Sequence, residues 1–240
     1  MRIGYETWSS ENPFERFQRA VREAVAAADC RRVCEIGAGA NPLLSLQELE
    51  RLGVSAYVLM DISAEELAKA PEGYTKVVAD ITAGPVAEAG ECDLVFSQTV
   101  AEHVRDGAGF HRAVREMLAP GARAMHFFPT LYEPAFVVNR LIPNGLTVGL
   151  IERLQEHRSQ EGSFGKFPAY YRWCRGPTRR QLARLRGAGY EVEEYLGVFG
   201  HNYYAAVPPL DRLEGALASL LVRHPLPALT SYAWVKLRRS

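Results

Sequence analysis

Apolar and polar residues alternate with two different periods along the first 130 residues of the chain. One segment places Phe14, Phe17 and Val21 on one helical face, and a later one does the same with Phe110 and Val114. Apolar runs of strand length also recur, at residues 32–36, 54–61, 74–80, 93–97 and 122–128. Because parallel strands need a crossover connection, this alternation predicts a doubly wound α/β core with helices on both faces.

Capping signals predict where the helices start. Asn12 and Pro13 open the first helix. Asn41 and Pro42 read as the N-cap and first position of the next helix, since proline has no amide to leave unsatisfied. We expect that helix to run to Gly53.

Beyond residue 130 the pattern loosens, and aromatic and basic residues crowd into the stretch FGKFPAYYRWCRGP. Thr178 and Gln181 then cap a helix that ends at Gly187. Two closing strands, 190–199 and 230–238, flank a helix near 208–222. We predict a single domain, 1–240, which divides into a ligand-binding core at 12–130, a lid at 130–176 and the closing helix and strands at 177–240.

Composition restricts the kind of partner. The chain has 28 Lys and Arg residues against 28 Asp and Glu, so its formal net charge is zero. Nucleic acid and membrane are therefore disfavoured as partners, and a small molecule is expected. We find no signal segment or membrane span and expect a cytoplasmic protein. The four cysteines form no C-x-x-C pair and are expected to be reduced core thiols.

The stretch CEIGAGANPLL, residues 34–44, predicts a turn between a strand and a helix. Gly37 and Gly39 let the backbone bend sharply and let a ligand approach the main-chain amides. A dinucleotide fingerprint, G-x-G-x-x-G, needs a third glycine where Pro42 stands. A nicotinamide cofactor is therefore disfavoured.

Glu35, Asp61 and Asp80 each close one of the first three core strands. In an open α/β sheet the ligand binds beyond these carboxyl ends. Asp61 suits two ribose hydroxyls, whereas Glu35 would repel a pyrophosphate and suits a cation. S-adenosylmethionine carries a sulfonium and an ammonium, a ribose, and an adenine amine for Asp80. The alternative is that Glu35 and Asp80 only cap neighbouring turns.

The stretches VCEIGAGANP, YVLMDIS, KVVADIT and CDLVFSQTVAEHV, at these intervals, resemble class I S-adenosylmethionine-dependent methyltransferases over residues 12–130. The stretch LAPGA resembles the turn after that family's fourth helix. The resemblance implies a Rossmann-like, seven-stranded, mostly parallel sheet whose last two strands form an antiparallel pair. Asn41 replaces the third glycine of the family's E-x-G-x-G-x-G motif.

The resemblance also implies roles for individual residues. The methionine part would lie near Glu35 and the two glycines, and the ribose at Asp61. The adenine would lie between Asp80 and Ile81, and the methyl-bearing end near Ser97. The predicted cofactor-binding set is Glu35, Gly37, Gly39, Asn41, Asp61, Ile62, Asp80, Ile81 and Ser97.

An acceptor hydroxyl or acidic carbon needs a base, and histidine suits that role near neutral pH. His103 follows the fourth core strand and His126 lies in the fifth, so both are candidates, together with Tyr132. The alternative for each histidine is a hydrogen-bonded cap or core residue. Other residues considered near the acceptor are Glu133, His201, Tyr203 and Tyr204.

The segment AEHV also resembles the E-x-x-E-H segment of metal-dependent O-methyltransferases, in which two carboxylates and a histidine hold a divalent ion. Thr99 stands where the first glutamate belongs, leaving Glu102 and His103. We therefore expect no catalytic metal.

The segment 130–176 is predicted to form a substrate lid. Basic side chains at Lys166, Arg172 and Arg175 suit a carboxylate or phosphate. An apolar, flat-walled pocket would be built by Phe127, Phe128, Tyr132, Phe136, Phe164, Phe167, Tyr170, Tyr171 and Trp173. The alternative is that these rings form a small second core.

The sequence thus predicts transfer of a methyl group to oxygen, nitrogen or carbon of a small aromatic or apolar metabolite, as in secondary metabolism. One alternative is an S-adenosylmethionine-binding protein that catalyses another reaction, because the cofactor residues would be the same. A nicotinamide-dependent oxidoreductase is the other alternative.

Overall fold

Eight strands form one sheet in a computed structural model of the chain, which describes residues 1–27, 30–131 and 168–240. The strands are β1 Arg2–Thr7, β2 Arg32–Ile36, β3 Ala56–Asp61, β4 Thr75–Val78, β5 Cys92–Gln98, β6 Leu118–Pro129, β7 Tyr190–Phe199 and β8 Tyr232–Arg239. Their order across the sheet is β1-β7-β8-β6-β5-β2-β3-β4. β8 runs antiparallel to β6 and β7, and the other neighbouring pairs are parallel.

Helices cover both faces of this sheet, as predicted. They are α1 Pro13–Ala27, α2 Leu46–Leu52, α3 Ala64–Lys69, α4 Gly107–Met117, α5 Arg179–Gly187 and α6 Pro208–Arg223. Short 3-10 turns occupy Ile81–Ala83, Ala87–Ala89, Ala101–His103 and Pro227–Leu229. Within the described ranges, no helix is both long and apolar enough to cross a membrane.

Two apolar cores pack against opposite faces of the sheet. Phe17 of α1 packs with Phe96 and Phe127 on one face, whereas Phe110 of α4 packs with Val95 on the other. Because successive side chains of a strand point to opposite faces, β5 supplies both cores from adjacent residues. The predicted α/β class, with its antiparallel last pair, is confirmed.

The eighth strand, β1, was not predicted. It pairs in parallel with β7 from Arg2–Glu194 to Thr7–Phe199 at one edge of the sheet. The sequence RIGYET contains three polar residues and has no strong apolar run, so its pattern alone gives little strand signal. Its partner strand supplies the missing stabilisation.

The predicted start of α2 at Asn41 and Pro42 is wrong. Ser45 is the N-cap, and a capping box joins it to Glu48: the Ser45 side chain accepts from the Glu48 amide, and the Glu48 side chain accepts from the Ser45 amide. The amide of Leu43 donates instead to Glu35 Oε2 at 3.0 Å. The Asn-Pro pair therefore lies in the turn before the helix, while the predicted end at Gly53 is confirmed.

Strand β6 starts four residues earlier than predicted. The segment expected to form a turn after α4, Leu118–Gly121, is already part of the strand. A register shift against β5 between Cys92 and Leu94, together with the left-handed φ of 78° at Gly121, accommodates the irregularity.

Candidate active site

The strand order reverses between β2 and β5. β2 pairs with β3 on one side and with β5 on the other, which makes this the switch point of the sheet. A cavity of about 390 Å³ lies there, lined by the end of β2, the following turn, the end of β5 and one side of α1. Ligands of open α/β sheets bind at such a position.

The glycine turn after β2 is tightly constrained. Gly37 has a φ of 74°, and its amide donates to the carbonyl of Met60 at 2.7 Å. A Cβ on Gly37 would lie 2.1 Å from Val100 Cγ2. Gly39 also has a left-handed φ, of 51°. A side chain is excluded by overlap at Gly37 and strained by the backbone conformation at Gly39, and the Gly37 backbone is open to the cavity.

Glu35 presents a buried carboxylate to the cavity. Its Oε2 accepts hydrogen bonds from the Leu43 amide at 3.0 Å and from the Tyr57 hydroxyl at 2.6 Å. Burial nevertheless raises the pKa of Glu35 to about 7, and the hydrogen bonds from Tyr57 and Leu43 only partly oppose that effect. A cation in the cavity would stabilise the ionised form.

Helix α1 places a positive charge on the same cavity. Arg22 lines it and donates to Glu48 Oε1 and to the Leu43 carbonyl, both at 3.0 Å. Gln18, one turn earlier, donates to Gln98 Oε1 at 3.3 Å across the mouth of β5. The cavity therefore offers a carboxylate and a guanidinium together, which suits an amino acid zwitterion. Gln18 and Arg22 were not predicted to line the site, because they lie on the polar side of α1, next to the apolar face that the periodicity indicates.

Asp61, the last residue of β3, binds the backbone of the turns that follow β2 and β3. Its Oδ2 accepts from the Gly39 amide at 3.0 Å and its Oδ1 from the Ser63 amide at 2.9 Å. This carboxylate therefore connects the glycine turn after β2 to the start of α3. The structure brings Asp61 beside the predicted residues of the glycine turn.

Asp80 caps the turn that follows β4. Its Oδ1 accepts from the Thr82 amide at 2.8 Å and from the Thr82 hydroxyl at 2.7 Å. Ile62 is exposed and Ile81 is buried. Asp80 therefore caps this turn, and its contact with adenine stays a prediction.

Ser97 and His126 face α4 rather than the cavity. They are paired across β5 and β6, and Ser97 Oγ lies 2.8 Å from His126 Nδ1. Both side chains are fully buried, with the His126 ring packed against Phe110 and His111. Burial, and then His111, lowers the pKa of His126 well below its usual value. Neither residue lines the 390 Å³ cavity, so the place of Ser97 near the methyl group and the role of His126 as a base stay predictions.

His103 lies in the 3-10 turn after β5. Its Nδ1 lies 3.2 Å from the Pro168 carbonyl and its Nε2 lies 3.7 Å from Glu102 Oε1. Glu102 is buried, and its Oε2 has no hydrogen-bond partner within the described ranges. Burial raises the pKa of Glu102 to about 8. No group of three metal-binding side chains occurs in the described part of the chain.

Most of the predicted lid lies outside the described residues, including Tyr132, Glu133, Phe136, Phe164, Lys166 and Phe167. In its described end, the amides of Tyr170 and Tyr171 donate to the Glu102 carbonyl at 2.7 and 2.9 Å. Trp173 stacks on His111 with ring centres 5.5 Å apart. This end of the segment therefore packs over the turn after β5 and over α4.

The loop after β7 does not reach the first cavity. His201 is buried and lines a second cavity of about 130 Å³ with Trp8 and Phe199. The amide of Tyr203 donates to His201 Nδ1 at 3.1 Å. Tyr204 packs edge-on against the same imidazole.

The sheet is parallel except for one reversed strand, and its switch-point cavity lies beside a glycine turn that follows an acidic residue. These features are typical of the Rossmann-like methyltransferase fold. Residues 34–125 match the family model described as "Methyltransferase domain". Residues 34–125 therefore form a methyltransferase domain, and its fold is the one that S-adenosylmethionine-dependent methyltransferases of known structure share. No curated protein sequence matches the chain.

Solved structures share this fold at low sequence identity. An S-adenosylmethionine-dependent methyltransferase from Mesorhizobium loti has 18% identity and a TM-score of 0.51, over 93% of this chain and 98% of that one. The methyltransferase CalH, in complex with S-adenosylhomocysteine, has 17% identity and a TM-score of 0.55, over 93% and 55%. The N-methyltransferase NodS of Bradyrhizobium japonicum WM9, also bound to S-adenosylhomocysteine, has 15% identity and a TM-score of 0.50, over 95% and 89%.

Proposed function

We propose that this enzyme transfers the methyl group of S-adenosylmethionine to oxygen, nitrogen or carbon of a small aromatic or apolar metabolite. The observation that carries the substrate class is a group of aromatic rings next to the switch-point cavity. Phe14 lies one helical turn before Gln18, and Phe127 lies beside Gln98 across β5 and β6. Both Gln18 and Gln98 line the cavity.

The rings form a continuous wall in which Phe127 and Tyr232 are buried, whereas Phe14 and Trp8 are partly exposed. Phe14 and Phe127 have ring centres 4.8 Å apart, and Tyr232 stacks on Phe127 at 5.6 Å with the ring planes 1° apart. Trp8 extends the wall, 5.1 Å from Tyr232 and 6.0 Å from Phe14. Flat apolar walls favour flat apolar ligands, and face or edge contacts between rings are each worth roughly 1 kcal/mol beyond area burial.

The cofactor would bind with its methionine part in the cavity. The donor set fits this group: Glu35 would pair with the ammonium and Arg22 with the carboxylate, while Gly37 leaves the backbone open to close approach. Asp61 would accept from the ribose hydroxyls. The adenine would lie beyond β4, between Ile62 and Ile81 and within reach of Asp80.

When bound, S-adenosylmethionine supplies an electrophilic methyl group. The chain's own contribution is to orient the two reactants in line and to exclude water, which can supply much of the rate enhancement. Of the two candidate histidines, His103 is partly exposed beyond the end of β5, whereas His126 is enclosed on the α4 side. We therefore assign proton removal from a hydroxyl or amine acceptor to His103.

The test is an acceptor screen with S-adenosylmethionine that carries a deuterated methyl group. Product masses raised by one labelled methyl on small aromatic compounds would support the proposal. Trp8→Leu should then raise KM for the acceptor about tenfold, by loss of ring contacts, while S-adenosylhomocysteine affinity is unchanged. Tyr5→Leu is the matched control, since Tyr5 stacks on Phe199 and not on the wall.

Two outcomes would contradict the proposal. If only macromolecules such as RNA acquire the label, the substrate class is wrong although the cofactor assignment holds. If Trp8→Leu and Tyr5→Leu change KM equally, the aromatic wall does not contact the acceptor.

A further inference from the structure

Helix α6 exposes a row of leucines at the edge of the sheet that carries β1 and β7. Leu210, Leu213, Leu217 and Leu220 are 46%, 67%, 52% and 54% exposed. The helix packs on the domain through a narrow face that includes Ala218 and Leu221. We call the four exposed leucines the leucine row.

The leucine row occupies one side of α6. At about 100° per residue, its four members fall within an arc of roughly 80°. The charged residues of the helix lie outside that arc; they are Asp211, Arg212, Glu214 and Arg223. A solvated helix face normally carries charges, so an uncharged row of leucines is typical of a packing surface.

The spacing of the row selects its occupant. The steps from Leu210 to Leu220 are three, four and three residues, which read the same in both directions. A second copy of α6 in antiparallel orientation therefore places Leu210 against Leu220 and Leu213 against Leu217. Such a contact is isologous, as a two-fold homodimer requires, and it opposes the two helix dipoles.

The area is sufficient for a stable dimer. The row exposes the equivalent of about two whole leucines, roughly 400 Å² in each copy. Two copies would together bury about 800 Å² of leucine surface. Because apolar atoms supply at most roughly 65% of an interface, the whole interface would bury about 1,200 Å². This total is the lower bound for specific interfaces. Leu226 and Leu229, just after the helix, are 54% and 39% exposed and would add to it.

We propose that the enzyme is a homodimer in which the α6 helices of two copies pack antiparallel through the leucine row. The interface lies at the β1 edge of the sheet, whereas the cavity lies between β2 and β5. Each copy therefore keeps an open cofactor site. This inference is independent of the proposed acceptor.

Sedimentation equilibrium of the full chain tests the proposal. The expected species has twice the 26.7 kDa mass of the chain. The double variant Leu213→Glu with Leu217→Glu should raise the dissociation constant at least about a hundredfold, because each dimer would bury four carboxylates. The matched control, Arg212→Glu with Ser219→Glu, adds glutamates to the same helix outside the row and should stay dimeric. Binding of S-adenosylhomocysteine should be unchanged in both, which shows that the variants fold.

Cross-linking tests the antiparallel register. A mixture of the single variants Leu213→Cys and Leu217→Cys should form far more disulfide-linked dimer than either variant alone. The native cysteines are all buried and should not compete.

Several results would overturn the proposal. They are a wild-type monomer at all concentrations, a dimer that survives the glutamates in the row, or equal cross-linking in single variants and mixture. A monomer that sediments with phosphatidylcholine vesicles would show that the row faces lipid instead.

Discussion

Protonation of Glu35 should control cofactor affinity. Burial raises the pKa of this carboxyl to about 7. S-adenosylhomocysteine keeps the α-ammonium of the cofactor, and the proposed site pairs that ammonium with ionised Glu35. Protons and the ligand should therefore compete, and affinity should rise as pH rises through about 7.

The size of the effect follows from that pKa. Near pH 8 about nine-tenths of Glu35 would be ionised, and near pH 6 about one-tenth. Affinity should consequently fall about tenfold between these values, a loss of about 1.4 kcal/mol of binding free energy. Glu35→Gln should remove most of this pH dependence and bind weakly throughout.

Tyr57 offers a sharper version of the same test. Its hydroxyl donates to Glu35 Oε2 at 2.6 Å and stabilises the ionised form. Tyr57→Phe should raise the pKa of Glu35 further and move the affinity inflection upward by about one pH unit. The matched control is Tyr74→Phe, because the Tyr74 hydroxyl donates to the Leu44 carbonyl instead.

Calorimetric titration with S-adenosylhomocysteine across this pH range measures all four proteins. Affinity that is flat from about pH 6 to pH 8 in the wild type would refute the pairing of Glu35 with the ammonium. An inflection that moves equally in Tyr57→Phe and Tyr74→Phe would show that Tyr57 does not act through Glu35.

Three further predictions concern the site and its frame. Asp61→Ala should weaken S-adenosylhomocysteine binding tenfold or more, whereas Asp93→Ala, which also removes an acceptor of two backbone amides, should lower only Tm. Burial raises the pKa of Glu102 in the folded protein to about 8, above its ordinary value in the unfolded chain. The free energy of unfolding should therefore decrease as pH rises toward 8. Glu102→Gln should flatten that fall in Tm, and exposed Glu116→Gln should not. Gly37→Ala should lower the free energy of unfolding by roughly 2–4 kcal/mol in urea titrations, because a left-handed φ and a steric overlap both oppose a Cβ.

Local signals in the sequence predicted much of the fold. Thr178 caps its helix by accepting from the Gln181 amide, and Asn12 caps α1 by accepting from the Phe14 amide. These interactions involve residues within one turn, so the sequence contains both partners. All seven predicted strands are present for a similar reason, since each apolar run is long enough to recognise alone.

The start of α2 shows where local reasoning fails. Asn41 and Pro42 have the chemistry of a helix start, but Ser45 and Glu48 satisfy the amides reciprocally, and the N-cap lies four residues later than predicted. Glu35 then takes the Leu43 amide across the turn. That contact joins a strand to a loop, and spacing along the chain does not reveal it.

The sequence predicted only part of the candidate site. The acids and glycines at strand ends follow from the topology, which places all carboxyl ends at one edge. The orientation of His126 depends on strand register, and one residue decides which face it occupies. Arg22 reaches the cavity only through the packing angle of α1, which the sequence does not specify.

The pairing of β1 with β7 has a consequence for the order of events during folding. The two strands are separated by the greater part of the chain, yet β1 leads directly into α1, which supplies Gln18 and Arg22 to the cavity. During synthesis on the ribosome, β1 must wait for β7 to emerge before it has a partner. A strand that is made before α1 is thus fixed only after β7 has been made, and the protein should acquire cofactor affinity only late in its own translation.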